Sequence, residues 1–131
     1  MKNTALLIGF FSIASFSFSQ EITEALPVQV YASEVYRDCP DYAGPEYLAN
    51  YAERLQRVEI RQEPVTSGET YPKLSSVSLK NKCNPELVRD ELNFNAGAFN
   101  ALKYRFNFQS QVQQIYRVDN TAYIIVLHPK K

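Results

Sequence analysis

The chain has 131 residues, and its 14 Lys and Arg balance 14 Asp and Glu to a formal net charge of zero. That length supports one modest core, and that balance predicts neither a nucleic-acid field nor a polyanion-binding surface. The densest basic group, Arg54, Arg57 and Arg61, is interleaved with Glu53, Glu59 and Glu63, the pattern of a solvated face carrying local ion pairs.

Met1-Lys2-Asn3 is a short basic start, Ala5 to Phe18 is apolar with small residues mixed in, and Ser17-Phe18-Ser19 places small side chains before Gln20. This is the layout of a secretory signal peptide over residues 1–19. The apolar run is shorter than the roughly 20 residues of a spanning helix, so no transmembrane anchor is expected. No Cys stands at the cleavage point to take a lipid. The expectation is an exported protein, periplasmic or extracellular, with one small domain over residues 20–131.

Leu26-Pro27-Val28-Gln29-Val30-Tyr31 alternates weakly and predicts a short strand, with Pro27 at its start or edge. Asp38 to Pro45 is dense in turn formers and predicts a loop. Pro45 suits a first helical turn, and Leu48, Tyr51, Leu55 and Val58 recur at spacings of three and four. A helix over 45–56 follows, with Arg57 to Arg61 already extended by its alternation. Pro64, Gly68 and Pro72 break the next stretch, although Val77 and Leu79 suggest a short strand. Asn84-Pro85-Glu86 has the composition of a helix start, and Leu87, Val88 and Leu92 would face the core from that helix.

Further on, Tyr104, Phe106 and Phe108 alternate with Arg105, Asn107 and Gln109, a strand with one aromatic and one wet face. Ile115 to Val118 and Ala122 to Leu127 flank Asp119-Asn120, residue types that tolerate the positive φ of a tight hairpin. A two-residue loop there would pair Tyr116 with Tyr123. Tyr123 to Leu127 is apolar on both faces, as in an interior strand covered on both sides. The fold class is α+β: one or two short helices packed on a small antiparallel sheet, with a C-terminal three-stranded meander and one disulfide.

That disulfide would join Cys39 and Cys83, the only two cysteines in a chain expected to be exported. Closing the loop between them would remove about 4 kcal/mol of unfolded-state freedom by the chain-entropy argument. Asp38, Asp41 and Glu46 flank Cys39. Their carboxylates could act as an acid/base pair or hold calcium, but their spacing matches no calcium loop, and no metal is expected. His128 is the single His and reads as a solvated side chain, so neither a multi-His zinc site nor a triad is expected around it. No Walker loop, G-x-S-x-G or G-x-G-x-x-G is present, and no cofactor is expected. Tyr116 and Tyr123, if uncovered, are the candidate binding surface, because Tyr offers large area with few rotors.

Phe99-Asn100-Ala101-Leu102-Lys103-Tyr104-Arg105-Phe106 and Tyr116-Arg117-Val118-Asp119-Asn120-Thr121-Ala122-Tyr123-Ile124-Ile125-Val126 resemble short exported proteins of flavobacterial type that carry no assigned activity. The likeness covers roughly the second half of the chain, departs at Ala101, where the pattern carries Pro, and implies a Gram-negative envelope. Taken together, the residues predict a small non-enzymatic binding or accessory module of the bacterial envelope. Its partner would be an envelope protein or a surface polymer, not nucleic acid. The alternative is a small envelope hydrolase using carboxylates of the Asp38–Glu46 loop.

Overall fold

The computed structural model describes residues 17–19 and 27–130, so the rest of the expected leader and its cleavage point at Gln20 lie outside the described residues. Two helices, α1 (Val28–Val35) and α2 (Pro45–Gln56), pack against an antiparallel sheet of β1 (Ser17–Ser19), β2 (Val58–Gln62), β3 (Gln114–Arg117) and β4 (Tyr123–Leu127). The sheet order is β1-β2-β4-β3. Three of its strands lie in the expected domain, and β1 pairs along β2 with Phe18 opposite Ile60. The α+β class with one disulfide stands: Cys39 and Cys83 are bonded, with Cα atoms 5.5 Å apart.

Residues 26–31 do not form the expected strand. Pro27 is the extended N-cap of α1, and Tyr31, Ala32 and Val35 are buried. The operative spacing is Val28, Tyr31, Ala32, Val35, one face of a helix, and a six-residue window ending at Tyr31 is too short to show it. Helix α2 spans the expected residues, and Tyr51 and Leu55 carry its buried stripe. Gly44 precedes it because a Cβ there would lie 3.3 Å from the Asp41 carbonyl and closer still to Glu46. The chain leaves α2 directly into β2, where the Arg57 carbonyl accepts from the His128 amide and Val58 pairs with Leu127.

Strand β4 is interior, with Ile124, Ile125, Val126 and Leu127 all buried. Its second neighbour is β2, not the aromatic segment. Tyr104, Phe106 and Phe108 are buried and Arg105, Asn107 and Gln109 exposed, so the alternation holds, but the backbone there makes only one bridge, Leu79 to Tyr104. The rings work as core instead. Phe99, Tyr104 and Phe106 stack in sequence at 5.5 and 5.4 Å, and Phe108 meets Phe106 edge-on.

The stretch after Asn84 is not a helix. Asn84 closes one turn, its Oδ1 accepting from the Glu86 amide and its Nδ2 donating to the Glu34 carbonyl of α1. Beyond it, Arg89 donates to the Leu74 and Val77 carbonyls, and Asp90 takes Lys103. These tertiary partners replace intrahelical bonds and leave only a short 3-10 turn over Asp90–Asn93. Leu87 is buried as expected, whereas Val88 and Leu92 are exposed.

The β3–β4 hairpin also differs in register. Asn120 adopts φ 60 as its residue type allows, but the loop is wider than two residues: Arg117 pairs with Ile124 and Tyr116 with Ile125. The Thr121 hydroxyl holds the wider loop, donating to the Val118 carbonyl at 2.8 Å and accepting from the Tyr123 amide at 3.0 Å. Asp119 turns away to take the Ser75 amide at 3.0 Å and hydroxyl at 2.6 Å. Burial opposes ionisation of Asp119, but those two bonds, with its own backbone amide and Lys73, outweigh it and hold the carboxyl below its ordinary 3.8. A depressed folded value contributes stability above the unfolded value and loses it as pH falls through the folded one. Thermal denaturation at stepped pH should therefore show wild type more stable than Asp119→Ala at about pH 6, with the gap narrowing as pH falls below the ordinary 3.8. A gap that does not narrow on acidification would place the contribution elsewhere.

Candidate functional site

The end of α1, the 3-10 turn Pro40–Ala43 and residues 80–83 meet at the disulfide. A cleft of about 470 Å3 opens there, lined by Tyr36, Tyr42, the Cys39–Cys83 bond, Lys80, Lys82 and Arg105. That volume falls within the range of small-molecule sites. Each wall has a local cause. Tyr36 is the C-cap residue of α1, and Tyr42 sits in the turn that Pro40 starts. Lys80 and Arg105 are fixed by the backbone: the Lys80 amide donates to the Lys103 carbonyl at 2.6 Å, and the Arg105 amide to the Ser78 carbonyl at 2.9 Å.

The aromatic wall is part of a tyrosine quartet. Tyr36 lies 5.8 Å from Tyr42 and 5.5 Å from Tyr51, and Tyr47 lies 5.6 Å from Tyr42 and 6.3 Å from Tyr51. The buried Tyr51 hydroxyl donates to the Tyr42 carbonyl at 2.8 Å, and burial pushes its pKa upward. Tyr42 is 49% exposed, so one face of the quartet meets solvent at the cleft.

The other wall is cationic and uncompensated. Lys80, Lys82 and Arg105 make no ion pair among the described residues, and neither does Arg54, whose charge acts on Lys80. Elsewhere the guanidinium groups are matched: Arg57 with Glu53, Arg61 with Glu59, Arg89 with Glu91, Arg117 with Glu69. The local ion pairs expected for Arg57 and Arg61 are present. The zero net charge therefore hides an uneven distribution, with a local group of cations unpaired among the described residues. Burial first, then Arg54 and Arg105, push the Lys80 ammonium below its ordinary 10.5.

The residues singled out in the sequence are dispersed. Asp38 is exposed and held by Arg37 at 2.9 and 3.1 Å, which pulls its carboxyl below the usual range. Asp41 lies in the exposed 3-10 turn and Glu46 in the exposed first turn of α2. Among the described residues no three His, Cys, Asp or Glu side chains converge as metal ligands. Tyr116 and Tyr123 share a face of the hairpin but are offset by two positions, since Tyr116 opposes Ile125. Both are half-buried against the core, Tyr116 against Phe106 and Tyr123 against Phe94, each at 5.2 Å.

One further polar cluster is structural in its geometry. Lys103 is buried and its ammonium reaches Asp90 at 2.5 Å, the Val88 carbonyl at 2.9 Å and Glu34 at 3.3 Å. Buried Asn100 donates to the Tyr31 carbonyl at 3.0 Å and to Glu34 at 3.1 Å, so the cluster ties α1 to the 90–104 segment. Burial raises the Asp90 carboxyl above its ordinary value despite Lys103 and the Asn100 amide, and no cleft residue belongs to this cluster.

The sequence reading missed the cleft because Tyr36, Lys80 and Arg105 are far apart in the chain. The available signal was Lys80-Asn81-Lys82-Cys83 beside a cysteine whose partner loop carries Tyr42. No protein-family model, curated protein or solved structure gives a significant match to this chain.

Proposed function

We propose that the protein is a small exported, non-enzymatic binding module of the bacterial envelope that engages a protein or surface polymer through the disulfide-side cleft. One observation carries this reading: the cleft joins exposed aromatic surface to cations that have no ion-pair partner among the described residues, and neither a carboxylate nor a histidine lines it. Such a wall binds and orients, but it offers no acid/base pair for bond cleavage. The bonded cysteines support an oxidising compartment, and the leader-like start and the flavobacterial resemblance support the envelope. The hydrolase alternative draws nothing from the Asp38–Glu46 loop, where Arg37 pulls the Asp38 carboxyl down, the reverse of what a general acid needs.

Retention of envelope material tests the proposal. Immobilised wild-type protein should hold a stoichiometric partner or polymer from a native envelope fraction, and Tyr42→Ala should lose it, because Tyr42 is exposed and its truncation leaves the buried quartet members in place. Equal retention by both proteins would move binding away from the cleft. Release of soluble fragments from the envelope fraction, abolished by Asp41→Asn, would overturn the non-enzymatic reading.

A further inference from the structure

The geometry points to an acidic carbohydrate as the occupant of the cleft, with its sugar ring against Tyr36 and Tyr42 and its carboxylate or sulfate groups against Lys80, Lys82 and Arg105. This rests on the cleft's being the binding site and adds the class of ligand. The first support is electrostatic. Three cations line one cavity and a fourth, Arg54, adds its field, with no carboxylate paired to any of them among the described residues. Like charges held together and partly out of water repel, and an anion placed among them relieves that repulsion. Burial chiefly, with Arg54 and Arg105 adding to it, holds the Lys80 ammonium below its ordinary value.

The second support is shape. A bare inorganic anion would leave most of a 470 Å3 cleft empty and would gain nothing from two tyrosine rings. A ligand with an apolar face and an anionic edge uses both walls, since aromatic faces are electron-rich and meet the C–H side of a sugar ring favourably. The third support concerns the backbone beside the cleft. The amides of Lys80 and Arg105 are already spent on Lys103 and Ser78. An acidic peptide that docks by adding a strand therefore finds those two amides taken, which favours recognition by side chains. A nucleic acid is disfavoured because its backbone needs a basic track several phosphates long, whereas the cations here are confined to one cleft in a neutral chain.

Titration calorimetry on the exported chain with five probes decides the matter: polygalacturonate, dextran sulfate, neutral dextran, poly-glutamate and a short single-stranded oligothymidine. Polygalacturonate or dextran sulfate should bind, with affinity that falls as salt is raised, and the preferred one names the acidic group. The other three should bind at least tenfold more weakly, a margin that one charge-assisted contact supplies. Lys82→Gln, at an exposed position, should weaken the acidic polymer about tenfold without altering the fold, and Lys80→Gln should do the same.

Binding of neutral dextran equal to that of the acidic polymers would overturn the assignment in favour of ring stacking alone. Tighter binding of poly-glutamate or oligothymidine would overturn the carbohydrate class. No binding of either acidic polymer would overturn the inference altogether. Tyr42-dependent retention of envelope material that is indifferent to both lysine variants would leave the cleft a binding site while removing its anionic ligand.

Discussion

Lys103→Met is expected to destabilise the protein by about 3 kcal/mol, because it leaves the part-buried Asp90 carboxylate without its cation, while Glu34 remains half-exposed to water. Lys103 is 5% exposed, and its ammonium is the meeting point of Asp90, Glu34 and the Val88 carbonyl. Against a total stability of roughly 5–15 kcal/mol, such a loss is a large fraction of what holds the native state. Urea denaturation of wild type and variant measures it directly. A second variant separates charge from packing. In Lys103→Met/Asp90→Asn the stranded Asp90 charge is removed while the Asn100 amide keeps an oxygen acceptor, so much of the loss should return. A single-variant cost under about 1 kcal/mol would mean that the pair is solvated in solution and does not hold α1 in place.

Removing the disulfide should cost about 4 kcal/mol, the chain-entropy value for a loop of this length. The bond closes a 44-residue separation. Cys39→Ser/Cys83→Ser and the reduced wild type should denature at similar urea concentrations, both well below the oxidised protein. The loss should be local before it is global. The Asp38 amide donates to the Cys83 carbonyl, and Asn84 holds the Glu34 carbonyl, so the end of α1 and residues 83–84 share the same tether. Amide exchange should rise first around residues 36–43 and 80–84. A uniform rise across β2 and β4 as well would show that the staple acts only through the unfolded chain.

Helix α2 was readable because Pro45, a three-four apolar stripe and an i,i+4 Glu53–Arg57 pair all lie within one segment and agree. Strand β4 was readable because a five-residue apolar run needs no partner to announce itself. The site of the disulfide was readable because two cysteines allow one pairing. Helix α1 was not, since half of its stripe lies beyond the segment that looked like a strand. The β2–β4 pairing was not, since Val58 and Leu127 meet across most of the chain and only β2's own alternation hints that it needs a neighbour. Hairpin register was set by Thr121 and Ser75, side chains whose contacts a turn signature does not encode. The cleft failed for a related reason. Charge was legible as a total, but which cations lack partners is decided by long-range contacts such as Arg117 with Glu69.

The tyrosine quartet gives the protein an optical signature of its own. With nine Tyr and no Trp, every near-ultraviolet aromatic band comes from tyrosine and phenylalanine. Four of those tyrosines sit within 5.5–6.3 Å of a neighbour in the quartet, two of them in the wall of the cleft. Rings held this close in fixed orientation generate near-ultraviolet circular dichroism that vanishes when side-chain packing is lost, even where helices persist. The side of the molecule that carries the disulfide therefore reports on itself without a label. Opening of the staple and occupation of the cleft both perturb the same coupled rings, whereas events at the β3–β4 hairpin leave that quartet untouched.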